Sequence, residues 1–169
     1  MEKQTEITIR KYKRTDEKAV TRLLEGLKKH IVSVDTFDTE DMQKGYAEAG
    51  MKYTIGLVSK SKGAIYVAET EDGQLVGYIV AVPKTSDESG RLGTKKDVKY
   101  GEIFDLFVDK KYRTKKIGKE LMNLAETFLK KKGCTDITLG VFSPNLIARK
   151  FYERLGYELY DITYIKKVK

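Results

Sequence analysis

A basic turn between a predicted strand and a predicted helix is the segment best suited to chemistry. From Leu106 to Lys119 the chain reads LFVDKKYRTKKIGK, an apolar strand end, a cationic turn and a helix start. Such a turn directs several backbone N–H groups to one point, at the positive end of a helix dipole, where phosphates bind. Taken alone, the segment is also compatible with an ordinary basic strand-to-helix loop.

The elements that must position this turn indicate one mixed α/β domain over residues 1–169. Alternating or continuous apolar runs predict strands, and apolar residues at helical spacing predict helices. The predicted strands cover residues 6–10, 64–69, 74–82, 100–109, 136–141 and 157–168, and the predicted helices cover residues 17–31, 117–132 and 144–155. Pro83 is expected to end its strand, and Ser143 to cap the last helix with Pro144 at its first position.

Two segments are harder to assign. Residues 41–59 have a weak helical pattern that Gly45, Gly50 and Gly56 interrupt, which predicts two short pieces or a mobile helix. Residues 84–99 are polar and aperiodic, which predicts a long loop.

Composition excludes several classes of protein. The chain of 169 residues is 40% hydrophobic with 17 aromatic residues, too apolar for a disordered protein. It has no apolar run long enough to span a membrane and no signal sequence at Met1, so a cytoplasmic protein is expected. The single cysteine, Cys134, and the single histidine, His30, exclude an internal disulfide and the usual zinc sites. His30 is expected at the surface or as a complement to the helix dipole, and Cys134 in a packing role.

The positive charge is concentrated in the second half of the chain. Residues 1–83 contain 13 basic and 13 acidic side chains, whereas residues 84–169 contain 20 and 12, so the net charge of +8 lies entirely there. This distribution favours an anionic partner such as a phosphorylated cofactor or a nucleic acid, or else reflects solvated helix faces.

Two segments carry a resemblance to the GNAT superfamily of N-acetyltransferases. The turn resembles the family's pyrophosphate loop, whose pattern is Arg/Gln-x-x-Gly-x-Gly/Ala after a strand that ends in an aspartate. Residues 145–157, NLIARKFYERLGY, resemble the block Asn-x-x-Ala-x-x-Phe-Tyr-x-x-x-Gly-Phe/Tyr. The two segments occur in the family's order, and the close match covers residues 101–157.

The resemblance implies a central mixed, mostly antiparallel β-sheet flanked by about four helices. It also implies direct transfer of an acetyl group from acetyl-CoA, without a metal, to a primary amine of a peptide, a protein or a small molecule. The residues implied in coenzyme binding are Leu106, Phe107, Val108, Arg113, Thr114, Lys115, Lys116, Ile117, Gly118, Lys119 and Asn145.

The turn departs from the family pattern at two positions. Lys116 stands where the first motif glycine usually occurs, and Thr114 where many members have another glycine. A lysine is expected to keep a negative φ and to turn its side chain outward. Either the loop reaches its geometry without glycine and Lys116 contacts phosphate, or coenzyme binding is weakened.

Three residues are candidates for proton transfer. Glu102 and Asp105 lie on the strand before the turn, where a carboxylate can take the proton of the attacking amine. Their odd separation places them on opposite faces of a regular strand unless a bulge intervenes, and Glu102 is slightly favoured. Tyr152 matches the family's usual general acid for the leaving thiolate, with a core tyrosine as the alternative.

Other classes of function stay open. Lys116 in the glycine position motivates a CoA-binding regulatory module without catalysis. The basic second half motivates a nucleic-acid-binding domain, which is disfavoured because no basic strand carries interleaved aromatic residues. The expected assembly is a monomer or a homodimer.

Overall fold

A computed structural model of the chain describes residues 6–85, 99–113 and 115–168. The strands are β1 (Ile7–Lys11), β2 (Ala64–Thr70), β3 (Leu75–Thr85), β4 (Lys99–Val108) and β5 (Asp136–Leu139), and the α-helices are α1 (Glu17–Val34), α2 (Tyr46–Ser61), α3 (Ile117–Lys131) and α4 (Leu146–Arg154). Short 3-10 turns at Arg14–Asp16 and Lys110–Tyr112 precede α1 and follow β4.

The strands form one sheet in the order β1-β2-β3-β4-β5. The first four are antiparallel to their neighbours, and β5 lies parallel to β4. The expected mixed, mostly antiparallel sheet with four helices is therefore confirmed. Thirteen of the residues in the predicted loop, 86–98, lie outside the described part of the chain.

The sheet separates two apolar cores because its side chains alternate between faces. On one face α1 and α2 bury residues that include Val20, Leu24, Met51, Tyr78 and Val80. On the other face α3 buries residues that include Val76, Ile79, Ile103, Leu121 and Leu129, and α4 packs there through partly buried side chains. The central strands are covered on both faces, which explains their nearly continuous apolar sequence.

Four predictions about the elements were wrong. α2 is one continuous helix, because Gly45 precedes it with φ +79° and Gly50 packs against Leu24. β3 continues through Pro83 to Thr85, and Pro83 pairs with Gly101.

The other two corrections concern the last fifty residues. Ser143 does not cap α4. Asn145, for which the sequence allowed capping as well as a coenzyme contact, is the cap, and its Oδ1 accepts the Ala148 N–H at 3.2 Å. Residues 157–168 do not form a strand, and residues 158–168 are exposed. High β propensity is insufficient there, because a strand also requires a paired neighbour.

Candidate active site

The candidate site lies where the pairing between β4 and β5 ends, and the edge of β4 that this leaves without a strand partner is called the cleft here. β4 and β5 are paired from Tyr100–Asp136 to Ile103–Leu139. Beyond Ile103, β4 continues to Val108 while remaining paired with β3. Along Phe104–Val108, the backbone groups that do not pair with β3 therefore face the cleft. They offer hydrogen bonds to an extended ligand with amide groups.

The basic turn closes one end of this cleft at the N-terminus of α3. Lys116 has φ +60° and ψ 0°, so the expectation of a negative φ was wrong. The turn forces a lysine into the left-handed conformation that glycine adopts most readily. The first N–H groups of α3, from Ile117 to Lys119, have no partner within the helix. Lys115, Lys116 and Lys119 are exposed beside them, and Thr114 lies outside the described residues.

Gly118 lies where the start of α3 meets α4. A Cβ atom at this position would lie 3.4 Å from Cζ of Phe151, an ordinary van der Waals contact. The two segments that carry the family resemblance are in contact at this point.

Arg113 folds back towards β4. Its Nε donates a hydrogen bond to the carbonyl oxygen of Val108 at 3.0 Å, and its guanidinium lies 5.8 Å from the centre of the Phe107 ring. The predicted phosphate-binding arginine therefore lies against the strand that borders the cleft. A ligand that needs the Val108 carbonyl must displace it.

A β-bulge brings the two candidate carboxylates to the same face. Val80 pairs with Asp105 and Ala81 with Ile103, which leaves Phe104 as an extra residue in β4. Glu102 pairs with Val82. Val80 and Val82 both belong to the α1–α2 core, so their partners Asp105 and Glu102 face the same side of the sheet as that core. The expectation for a regular strand, opposite faces, does not hold because of this extra residue.

The two carboxylates have different partners. Glu102 forms an ion pair with Lys84. Asp105 accepts a hydrogen bond from the hydroxyl of Tyr78 at 3.3 Å. Burial and the charge of Glu102 raise the pKa of Asp105 to about 7, although the Tyr78 hydrogen bond opposes this shift. A carboxyl with this pKa exchanges a proton readily near neutral pH, as a general base must.

Tyr152 lies on the opposite face, on α4. Its ring contacts those of Phe151 and Tyr157 at centroid distances of 5.3 and 6.0 Å, and it packs against the α3 core. Burial raises the pKa of Tyr152 to about 12, so the hydroxyl keeps its proton at neutral pH. The residue is therefore a packing residue that also offers a proton donor.

His30 is half-buried beside the cleft, whereas the sequence analysis expected it at the surface. Its Nε2 lies 3.3 Å from Nδ2 of Asn145, so it joins the end of α1 to the start of α4. Burial and the charge of Arg113 lower its pKa, which keeps the ring neutral. A Cβ at Gly26, one turn earlier, would lie 2.9 Å from Phe107, which shows how closely α1 approaches β4.

Tyr78 is the second residue that sequence analysis missed. It is fully buried in β3, and burial together with Asp105 raises its pKa well above the usual value. A signal was available, because Tyr78 is the only hydroxyl in the run LVGYIVAV. A buried tyrosine usually directs its hydroxyl to a polar partner.

Among the described residues, no three His, Cys, Asp or Glu side chains are grouped so that they could bind a metal. No helix in this part of the chain is long and apolar enough to cross a membrane.

Comparison with known proteins identifies the family. The model of the Acetyltransferase (GNAT) family matches residues 31–157. The chain belongs to this family. N-acetyltransferase family 8 member 2 of Rattus norvegicus is 28% identical over 121 residues, 72% of this chain and 45% of that protein. The chain spans about half the length of the curated relatives it matches.

Solved structures of other proteins share the GNAT fold. The tetramutant of the BH1408 protein from Bacillus halodurans is 22% identical, with a TM-score of 0.82 over 95% of this chain and 99% of that chain. The aminoglycoside N-acetyltransferase AAC(6')-Iy, in complex with CoA, is 14% identical, with a TM-score of 0.70 over 100% and 99% of the two chains. At these identities the similarity concerns the fold.

Proposed function

We propose that this protein transfers the acetyl group of acetyl-CoA directly to a primary amine. The observation that carries the proposal is the course of β4. This strand holds Asp105, borders the cleft over Phe104–Val108 and leads into the basic turn at α3. The proposed proton acceptor and the proposed anion site therefore lie on one strand and the turn that follows it.

The residues around the opening fit the coenzyme. Backbone groups of Leu106, Phe107 and Val108 would pair with its amide-containing arm, and Asn145 lies at the start of α4 beside it. The N–H groups of Ile117 and Gly118, with Arg113, Lys115, Lys116 and Lys119, would hold its phosphates. Such binding requires Arg113 to leave the Val108 carbonyl, which frees its guanidinium for phosphate.

The proton steps follow from the positions of the two acid–base groups. A primary amine is protonated at neutral pH and must lose a proton before it attacks. Asp105 takes this proton, the amine nitrogen bonds to the thioester carbon, and the C–S bond breaks. Tyr152 gives its proton to the departing thiolate. The nitrogen, now bonded to the acetyl carbon, loses its second proton through solvent, which restores the Tyr152 hydroxyl, and Asp105 releases the first proton to solvent. Glu102 is less suited as the base, because its charge is already paired with Lys84.

The left-handed backbone of Lys116 argues against the alternative of a CoA-binding module without catalysis. That alternative depended on the missing glycine, yet the lysine adopts the torsion that glycine would supply.

Two measurements test the proposal. Thermal shift should show stabilisation by acetyl-CoA, and a smaller shift with acetyl-pantetheine, which lacks the nucleotide phosphates. Thiol release and product mass, recorded with a panel of primary amines at neutral pH, should show transfer that Asp105→Asn strongly reduces. Equal shifts with both compounds would contradict the phosphate site. Coenzyme binding without transfer to any amine would favour the regulatory module.

A further inference from the structure

Two aromatic rings are exposed side by side on the side of the sheet that α1 and α2 cover. Tyr53 of α2 and Phe104 of β4 have ring centroids 5.9 Å apart at an angle of 38°. Tyr53 is 61% exposed and Phe104 37% exposed. Large aromatic side chains are mostly buried in folded proteins, and neighbouring exposed rings are typical of binding surfaces.

The β-bulge links these rings to the proposed chemistry. Phe104 is the extra residue of the bulge, so its ring is turned towards α2 instead of the α3 core. The next residue is Asp105, and consecutive Cα atoms are about 3.8 Å apart. The Phe104 ring meets Tyr53 of α2 and the Asp105 carboxyl meets Tyr78 of the α1–α2 core, so both side chains lie on the same side of the sheet.

Among the described residues, the charged groups around the rings are already engaged. Lys84, which the Tyr53 and Tyr100 hydroxyls influence electrostatically, is paired with Glu102. The Tyr46 ring, also on α2, is covered by the Lys28 ammonium at 4.9 Å. Of the two carboxylates of β4, Asp105 accepts from a neutral hydroxyl and Glu102 is paired with a cation, so Asp105 is the one better able to meet an amine.

Resting on the proposed acetyl transfer, we infer that Tyr53 and Phe104 form a platform for an acceptor whose primary amine is attached to an aromatic body by a short arm. The body stacks on the two rings while the amine reaches Asp105. Offset stacking between aromatic rings adds to the binding that apolar contact alone provides. The two residues determine acceptor specificity and take no part in proton transfer.

The test compares phenethylamine with n-butylamine, putrescine and a lysine-containing peptide as acceptors. We expect kcat/KM for phenethylamine to exceed that for n-butylamine by at least roughly tenfold. Phe104→Leu and Tyr53→Ser should each reduce this ratio several-fold while leaving the KM for acetyl-CoA unchanged. Tyr164→Ser is the matched control, because Tyr164 is a 90% exposed tyrosine outside the site. Thermal melting of each variant confirms that it is folded.

The outcomes separate this inference from the proposed transfer. Transfer to all amines without the aromatic preference, or a preference for putrescine or the peptide, overturns the platform and leaves acetyl transfer standing. If acetyl-CoA binds and no amine is acetylated, the platform is tested by binding alone. Calorimetry then measures the affinities of phenethylamine and n-butylamine for the complex of the protein with acetyl-CoA. Tighter binding of phenethylamine that Phe104→Leu weakens supports it, and equal binding overturns it.

Discussion

Asp105 is the residue on which the proposed chemistry depends most. Its carboxyl is held at a pKa of about 7 by burial and by the neighbouring Glu102 charge. We expect turnover to rise with pH to a plateau, with an apparent pKa near this value. Asp105→Asn should lower kcat by roughly 10²- to 10⁴-fold, with partial recovery at high pH, where the amine loses its proton unaided.

Glu102→Gln is the matched variant for this prediction. It removes the charge that raises the pKa of Asp105, so the pH profile should move to lower pH while most activity remains. The assignment of the base would be reversed if Glu102→Gln abolished turnover and Asp105→Asn did not.

We expect Tyr78 to act through Asp105 as a positioning residue. Its hydroxyl donates to the carboxyl and favours the ionised form. In Tyr78→Phe the acid limb of the kcat profile should therefore move to higher pH, with an unchanged KM for acetyl-CoA. Tyr66→Phe, at a buried tyrosine in β2 whose pKa is raised by burial alone, is the control. A loss of stability without a shifted profile would limit Tyr78 to a packing role.

Tyr152 combines packing with the proposed role of acid. Tyr152→Phe keeps the ring contacts with Phe151 and Tyr157 and removes only the hydroxyl. Turnover should fall by roughly ten- to a thousandfold, while acetyl-CoA affinity changes little. The measurement is single-turnover kinetics, in which chemistry limits the rate. Wild-type turnover in the Phe variant would leave Tyr152 as a core residue only.

Among the elements, the turn before α3 allows a separate test. Lys116→Gly and Lys116→Asn both remove the charge and both tolerate a positive φ. We expect each to stabilise the fold by up to about 1 kcal/mol, because the left-handed lysine is strained. Acetyl-CoA affinity should fall roughly three- to tenfold, with a weaker dependence on salt.

Lys116→Arg is the control for this experiment, because it keeps the charge and the strained torsion. Calorimetry at two salt concentrations measures the affinities. Tighter binding by the glycine variant would show that the lysine is a steric compromise and makes no phosphate contact.

The elements also show what the sequence could predict. Periodicity located α1, α3 and most strands, because their apolar residues face one of the two cores. It could not locate the bulge at Phe104, since a bulge depends on the register between β3 and β4. The same limit hid the shared face of Glu102 and Asp105. The glycines of α2 suggested breaks because sequence alone does not show that Gly50 packs against Leu24.

At the scale of the whole molecule, the sheet separates the proposed acid from the proposed base. Tyr152 packs on the α3 side, whereas Asp105 belongs to the side of α1 and α2. The side of α1 and α2 meets the side of α3 and α4 beyond the end of the β4–β5 pairing. There the side chains of His30 and Asn145 are in contact, which joins α1 on one face of the sheet to α4 on the other.

The buried Asp105 should also affect the stability of the whole fold. Its pKa is about 7 when folded and about 3.9 in an unfolded chain. Between these values the folded state binds more protons, so this group's contribution to stability decreases as the pH rises from about 4 to about 7. Asp105→Asn should therefore be more stable than the wild type at pH 8 and similar to it at pH 4. Urea unfolding at both pH values measures the difference, and a constant difference would contradict a raised pKa.

The left-handed Lys116 has a consequence for how such turns are recognised. What the proposed pyrophosphate turn requires at this position is a left-handed backbone conformation, which glycine adopts most easily and other residues can also adopt. Here the surrounding chain imposes φ +60° on a lysine. The strain, about 1–2 kcal/mol for a side-chain-bearing residue, is carried by the packing of α3 on the sheet. A sequence motif that requires glycine here would miss chains that form the turn with another residue. A search for the backbone dihedral angles of the turn would find them.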